Sequence, residues 1–148
     1  MIWIPGNPQP KERVRVGRNG GRTAPRTRAY TDRIRIAAVR AMGLQRPMSG
    51  PVHVQLVAKR APPLRPRKGH ESTIGVEVPV FVGGPMFRVC TCTPDLDNIE
   101  KAIWDGLNGV VWLDDKQVVI NHTMKVWGAS RLDVGVQVIV RELQQVRE

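Results

Sequence analysis

Four aspartates fall in two short clusters. Asp95 and Asp97 stand two residues apart in Pro94-Asp95-Leu96-Asp97-Asn98-Ile99-Glu100-Lys101, and Asp114 and Asp115 are adjacent further on. If the clusters meet in space, the repulsion between their carboxylates needs a cation to relieve it. The donors are all oxygen. That suits Mg²⁺, with Mn²⁺ as the alternative, because these ions keep several waters and take one or two carboxylates each. A calcium EF-hand is excluded by spacing, since neither its glycine nor its distal glutamate falls in register after Asp95. An ion held this way polarises a phosphodiester and acidifies a bound water. Lys101, one helical turn beyond Asp97, is placed to neutralise charge developing on phosphate oxygens.

Each of these residues also has an ordinary structural use. Asp97 and Glu100 have the spacing of a capping box, with Asp97 as N-cap. Asp95 suits a turn after Pro94. Asp97–Lys101 and Lys101–Asp105 are i,i+4 pairs of the kind that help an isolated helix. Taken singly, the residues argue for nothing more. It is their convergence on a strongly basic chain that points to chemistry.

The net charge of +10 on 148 residues makes a polyanion the first candidate partner. From Lys11 to Arg46 only Glu12 and Asp32 oppose a series of lysines and arginines. Nucleic acid fits this balance. A membrane does not, because no apolar run approaches the roughly 20 residues a span requires, and there is no basic amphipathic helix with a large aromatic face. Met1–Pro5 is too short for a signal segment, so the chain reads as cytoplasmic. Cys90 and Cys92 would close too small a loop for a structural disulfide. Without a CxxC, and with His53, His70 and His122 isolated, zinc is not expected.

The elements that must position the carboxylates follow from periodicity. Residues 11–28 carry Gly17, Gly20, Gly21 and Pro25 with no apolar period, which predicts a flexible basic loop. Tyr30, Ile34, Ala37, Ala38 and Ala41 recur at helical spacing, so a first helix is expected from about Tyr30, with Gly43 as its C-cap and Arg33 and Arg40 outside. Val52, Val54 and Leu56 alternate as in a half-buried strand. A second basic stretch, rich in proline, covers 59–68. Residues 76–82 and 87–91 flank Gly83-Gly84-Pro85 and predict a hairpin within an insertion over about 65–90.

The second helix is expected over about 97–108. Ile99, Ala102, Ile103, Gly106 and Val110 form its core stripe, while Asp97, Lys101, Trp104, Asp105 and Asn108 share an outward face. A short strand near 118–120 and a final pair, 124–127 and 132–140, joined at Gly128-Ala129-Ser130, complete the chain. Val134, Val136, Val138 and Val140 give the clearest strand signal. There is no internal repeat. One domain of two-layer α+β type, a sheet covered by two helices, is the expected architecture.

From Pro94 to Val119 the residues resemble the RusA-type Holliday-junction resolvases of phages and prophages without a gap. The family's D-x-D-N-x-x-K falls on Asp95, Asp97, Asn98 and Lys101, and its D-D-x-Q on Asp114, Asp115 and Gln117. Weaker similarity extends over Pro5, Gly6 and Pro8, the basic loop, and Arg26 to Tyr30. The resemblance implies a small mixed-sheet α+β fold and a homodimer that makes paired, symmetric nicks in four-way DNA junctions with Mg²⁺, in recombination and repair. Its catalytic carboxylates map to Asp95, Asp97 and Asp115, with Asp114 as the alternative within its pair and Lys101 as the essential lysine. Lys11, Arg13, Arg15, Arg18, Arg22, Arg26 and Arg28 would then hold DNA backbones. If the chain is phage-encoded, the cytoplasm is that of a bacterial host. The chain departs from compact members between about Arg65 and Val89, a longer stretch. It also has Pro94 where such members often carry a basic residue, so no arginine role is carried across.

Two rival readings use the same residues. A less selective nuclease would cut flaps, forks and replication intermediates as readily as four-way junctions. A non-catalytic nucleic-acid-binding protein would use its carboxylates only as caps and ion pairs, and would bind DNA without cutting it.

Overall fold

A computed structural model of the chain describes residues 1–12, 15–17, 20–22, 24–63, 77–79 and 86–144. Four strands make the main sheet: β1 (Ile2–Pro5), β4 (Val52–Arg60), β7 (Val118–Trp127) and β8 (Gly135–Glu142). Their order is β1-β8-β4-β7, with β4 antiparallel to β8 and parallel to β7, and β1 antiparallel to β8. Two minor antiparallel pairs stand apart: β2 (Arg15–Gly17) with β3 (Gly20–Arg22), and β5 (Glu77–Pro79) with β6 (Met86–Arg88). The helices are α1 (Pro25–Met42) and α2 (Leu96–Leu107).

Register follows burial. Ile2, Val138 and Leu56 stand in one row across three strands, and Ile4, Val136 and Ala58 in the next. All six face the helices and are buried. Tyr30, Ile34 and Ala38 of α1, with Ile99, Ala102, Ile103 and Leu107 of α2, close the core from the other layer. Burying one such aliphatic side chain is worth about 1.5–3 kcal/mol. A one-residue slip would turn a whole row to solvent, so the rows hold the register. The helices cross closely at Gly106, where a Cβ would lie 2.5 Å from Cγ2 of Ile34. The result is the two-layer α+β arrangement with a mixed sheet that the sequence implied.

Several boundaries differ from expectation. Helix α1 begins at Pro25, not Tyr30, with proline in the first turn, where its missing N–H is no loss. Arg26 and Arg28 therefore lie on a helix, and the rest of 11–28 that is described includes the β2–β3 pair rather than a featureless loop. Strand β7 is continuous where a short strand and a separate later one were expected. It does not pair with β8. Both flank β4, so the sheet is not built from local pairs. Residues 128–134 are more than the two to five that tight hairpins use, and they carry the chain across the end of β4. Strand β1, unanticipated, alternates buried Ile2 and Ile4 with exposed Trp3 and Pro5.

Candidate functional site

The approach to Asp95 is fixed to β7. Val89 bridges Val126, the Cys90 N–H donates to the Lys125 carbonyl at 3.0 Å, and Lys125 Nζ donates to the carbonyls of Cys92 and Pro94, the latter at 2.7 Å. Helix α2 starts at once, driven by the burial of Ile99, Ala102, Ile103 and Leu107 along one face. Its second turn is tied to the sheet where Asn121 Nδ2 donates to Glu100 Oε1 at 2.6 Å.

This geometry corrects the expected cap. Asp95, not Asp97, is the N-cap of α2, and its side chain makes no capping hydrogen bond. Glu100 is committed to Asn121, so no Asp97–Glu100 capping box forms. Both aspartates are exposed. Lys101 Nζ is 3.0 Å from Asp97 Oδ2, and this bond holds the Asp97 carboxyl below its ordinary pKa. At neutral pH Asp97 is thus an ionised, solvent-facing donor at the mouth of a helix, with an ammonium one turn along.

Asp105 pairs with Lys11 at 2.6 Å, not with Lys101. The Lys11 N–H also donates to the Asn98 carbonyl at 2.9 Å. Lys11 therefore fastens the start of the basic segment to the helix that carries the aspartates. Arg15 and Arg22 are backbone register partners at the open end of the β2–β3 pair. Arg13 and Arg18 lie outside the described residues, and Arg26 and Arg28 are exposed on the first turn of α1.

The second acidic cluster serves a different local purpose. Asp114 caps a short 3₁₀ turn, Asp115–Gln117, and accepts the Lys116 N–H at 3.0 Å, which depresses its pKa. Gln117 Oε1 accepts the N–H groups of Leu113 and Asp114, and its Nε2 donates to the carbonyls of Met48 and Gly50. A capping box therefore forms at Asp114–Gln117, which has the same spacing as Asp97–Glu100. With Asp114 so occupied, Asp115 is the member of the pair that is exposed and has no ion-pair partner among the described residues.

The two clusters are separated by the whole of α2 and the turn after it. Among the described residues, no three His, Cys, Asp or Glu side chains are grouped closely enough to hold a metal ion. Asp95 and Asp97 share one helix start; Asp115 is not gathered with them. Trp104 does not extend outward with Lys101. It is half-buried against the core, its indole N–H without an acceptor among the described residues. Cys90 and Cys92 are free thiols. No helix among the described residues is long and apolar enough to cross a membrane.

Lys125 and Asn121 carry no signal in the sequence, and Gln117 is marked there only by the D-D-x-Q pattern, not by its bonding role. They hold the carboxylate-bearing segments in place, and nothing in local periodicity identifies their distant partners. The profile of the family described as Endodeoxyribonuclease RusA matches residues 5–139. No individual curated protein matches significantly.

Proposed function

The chain belongs to the RusA family of endodeoxyribonucleases, and from that premise we propose that it is a divalent-metal-dependent enzyme that resolves four-way DNA junctions by paired, symmetric nicks. The observation that carries this proposal is the α2 start: two exposed aspartates, one paired with Lys101, on a chain of net charge +10. The donor set fits Mg²⁺ or Mn²⁺ in kind, since both are hard oxygen donors open to water and, among the described residues, no thiolate or imidazole is grouped with them. Asp95 and Asp97 would hold the ion, and Asp115 is the third proposed ligand, contributed from a different element. Such an ion supplies Lewis acidity toward a phosphodiester.

The protein's own groups do the rest. Asp97 is ionised at neutral pH as any exposed carboxyl is, Lys101 lowers its pKa further, and Lys101 offers a positive charge to the scissile phosphate. The basic segment that Lys11 anchors beside α2 holds the flanking DNA backbone through its arginines. A homodimer is proposed because a junction has two equivalent strands to cut and a two-fold pair of chains presents two equivalent sites. The cytoplasm, where the substrate lies, is the compartment this function requires.

The test is incubation with a synthetic four-way junction, with and without Mg²⁺. Paired nicks that need the ion, and that Asp97→Asn abolishes, are expected. Nicking that Asp97→Asn leaves unchanged would sink the proposal. Equal cleavage of a flap, a fork and a junction in competition would replace junction resolution with a broader activity on branched DNA.

A further inference from the structure

The histidines stand far apart in sequence, yet two of them meet on the sheet face turned away from the helices. His53 of β4 alternates with Val52 and Val54, which pack on the helices, so its ring lies on the opposite face. His122 of β7 joins it there, with ring centres 5.2 Å apart and ring planes inclined at 60°. A β-bulge brings the two together. Val52 pairs with Val118 but His53 with Ile120, so Val119 is an extra residue in β7. It reverses the facing of every residue after it. Asn121 is thereby turned toward α2, where it binds Glu100, and His122 toward His53.

The pair has the dimensions of a chelate. With metal–nitrogen bonds of about 2.0–2.1 Å and a tetrahedral angle, each imidazole centre lies about 3.2 Å from an ion and the two centres about 5 Å apart. His53 Nε2 is buried and has no hydrogen-bond partner among the described residues. Buried polar atoms are ordinarily paired, and an imidazole nitrogen with its lone pair unused is a metal donor. His122 is exposed, which leaves the pair open to solvent on one side. In register, His53 is flanked by Arg141 and Ile120, and His122 by Gln55. Arg141 is exposed, so its charge stays in water. No carboxylate pairs in register with either ring, so a hard ion such as Mg²⁺ has no oxygen ligand there to hold it.

We propose that His53 and His122 form a two-imidazole site for a transition-metal ion of the zinc class, with water completing its coordination. The site is separate from Asp95 and Asp97, which stand at the start of α2 in the other layer. Zn²⁺ takes imidazole readily, and Ni²⁺ and Cu²⁺ share the preference. An ion held across β4 and β7 just beyond the bulge fixes the register there. That same register presents Asn121 to Glu100, so the ion reinforces the strand to which α2 is tied.

The experiment takes the full chain, stripped with EDTA and dialysed free of it, and titrates Zn²⁺ in excess Mg²⁺, followed by calorimetry and thermal unfolding. Zinc should bind despite the Mg²⁺ and raise the unfolding midpoint by about 5 °C at saturation. His53→Gln and His122→Gln should each weaken binding at least about tenfold, since even an outer-shell partner is worth that much. His122 is exposed, so His122→Gln should unfold at the wild-type midpoint when zinc is withheld. Asp97→Asn and Cys92→Ser should keep the full zinc response, which separates this site from the carboxylates and the thiols. Absence of zinc binding by the wild type overturns the proposal, and so does binding that His122→Gln leaves undiminished. Loss of the response in Asp97→Asn or Cys92→Ser also overturns it, by assigning the ion to those groups.

Discussion

Lys125 Nζ lies 2.7 Å from the carbonyl oxygen of Pro94, the residue immediately before Asp95. One strand side chain therefore sets where α2 begins. Replacing it with methionine keeps the stem and removes the donor. Lys125→Met should lower stability by about 1.5–3 kcal/mol, as for loss of charged hydrogen bonds. It should also lower junction cleavage about a hundredfold, the cost of displacing reacting groups by an ångström. Urea unfolding and single-turnover nicking measure the two separately.

Asp97 is exposed and caps nothing, so its loss should leave the fold intact. Both Asp97→Asn and Asp97→Ala are expected to unfold within about 2 °C of wild type, as surface substitutions do. Cleavage should fall by more than about a hundredfold in both, since loss of even an outer-shell partner costs 10- to 100-fold in metal affinity or activity. A large drop in the melting temperature of Asp97→Ala alone would restore the capping role that the structure assigns elsewhere.

Gln117 joins four backbone groups from two chain segments. At about 1 kcal/mol per net hydrogen bond, Gln117→Ala should cost about 2–4 kcal/mol. Glutamate in its place keeps the acceptor and loses the donors to Met48 and Gly50, so Gln117→Glu should recover only part of that loss. Chemical denaturation of the two variants checks the order.

Two buried acids make stability fall in alkali. Burial pushes the Cys90 thiol from 9.0 up to about 12, and the Tyr30 phenol from 10.0 up to about 12. Above pH 9 the unfolded chain releases the thiol proton while the folded chain keeps it, so the folded state binds more protons and loses stability as pH rises. The loss should run from about pH 9 to 12, with Tyr30 adding to it above pH 10. Below pH 9 these two groups impose no slope. Urea midpoints between pH 8 and 11 measure the effect, and Tyr30→Phe should remove the added part above pH 10.

The strands announced themselves by alternation, and the partners did not. Val136 and Val138 showed which face of β8 is buried, yet nothing in their spacing says that Ile2, Ile4 and β4 lie beside them. Likewise Asp97–Glu100 and Asp114–Gln117 have the same spacing. Which becomes a capping box was settled by Asn121 claiming Glu100, a contact from twenty-one residues away. Pro25 is a local signal of its own, since a proline suits the first helical turn even where the apolar period has not begun. The acidic motif was legible because its residues are close in sequence. The elements that hold it are distant, and one-dimensional periodicity carries no information about them.

The pairing of Ile2 with Val138 places one of the earliest residues against one of the last described. During synthesis β1 must wait for β8 before it gains its neighbour, and β4, which β7 can reach earlier, waits for β8 to cover its other edge; such long-range closure folds slowly. A nascent or truncated chain ending before Gly135 would expose two unpaired apolar strand edges, the usual seed of aggregation. A chain cut before Gly135 should therefore aggregate where the full chain does not, an outcome that comparing the soluble fractions of the two on expression checks.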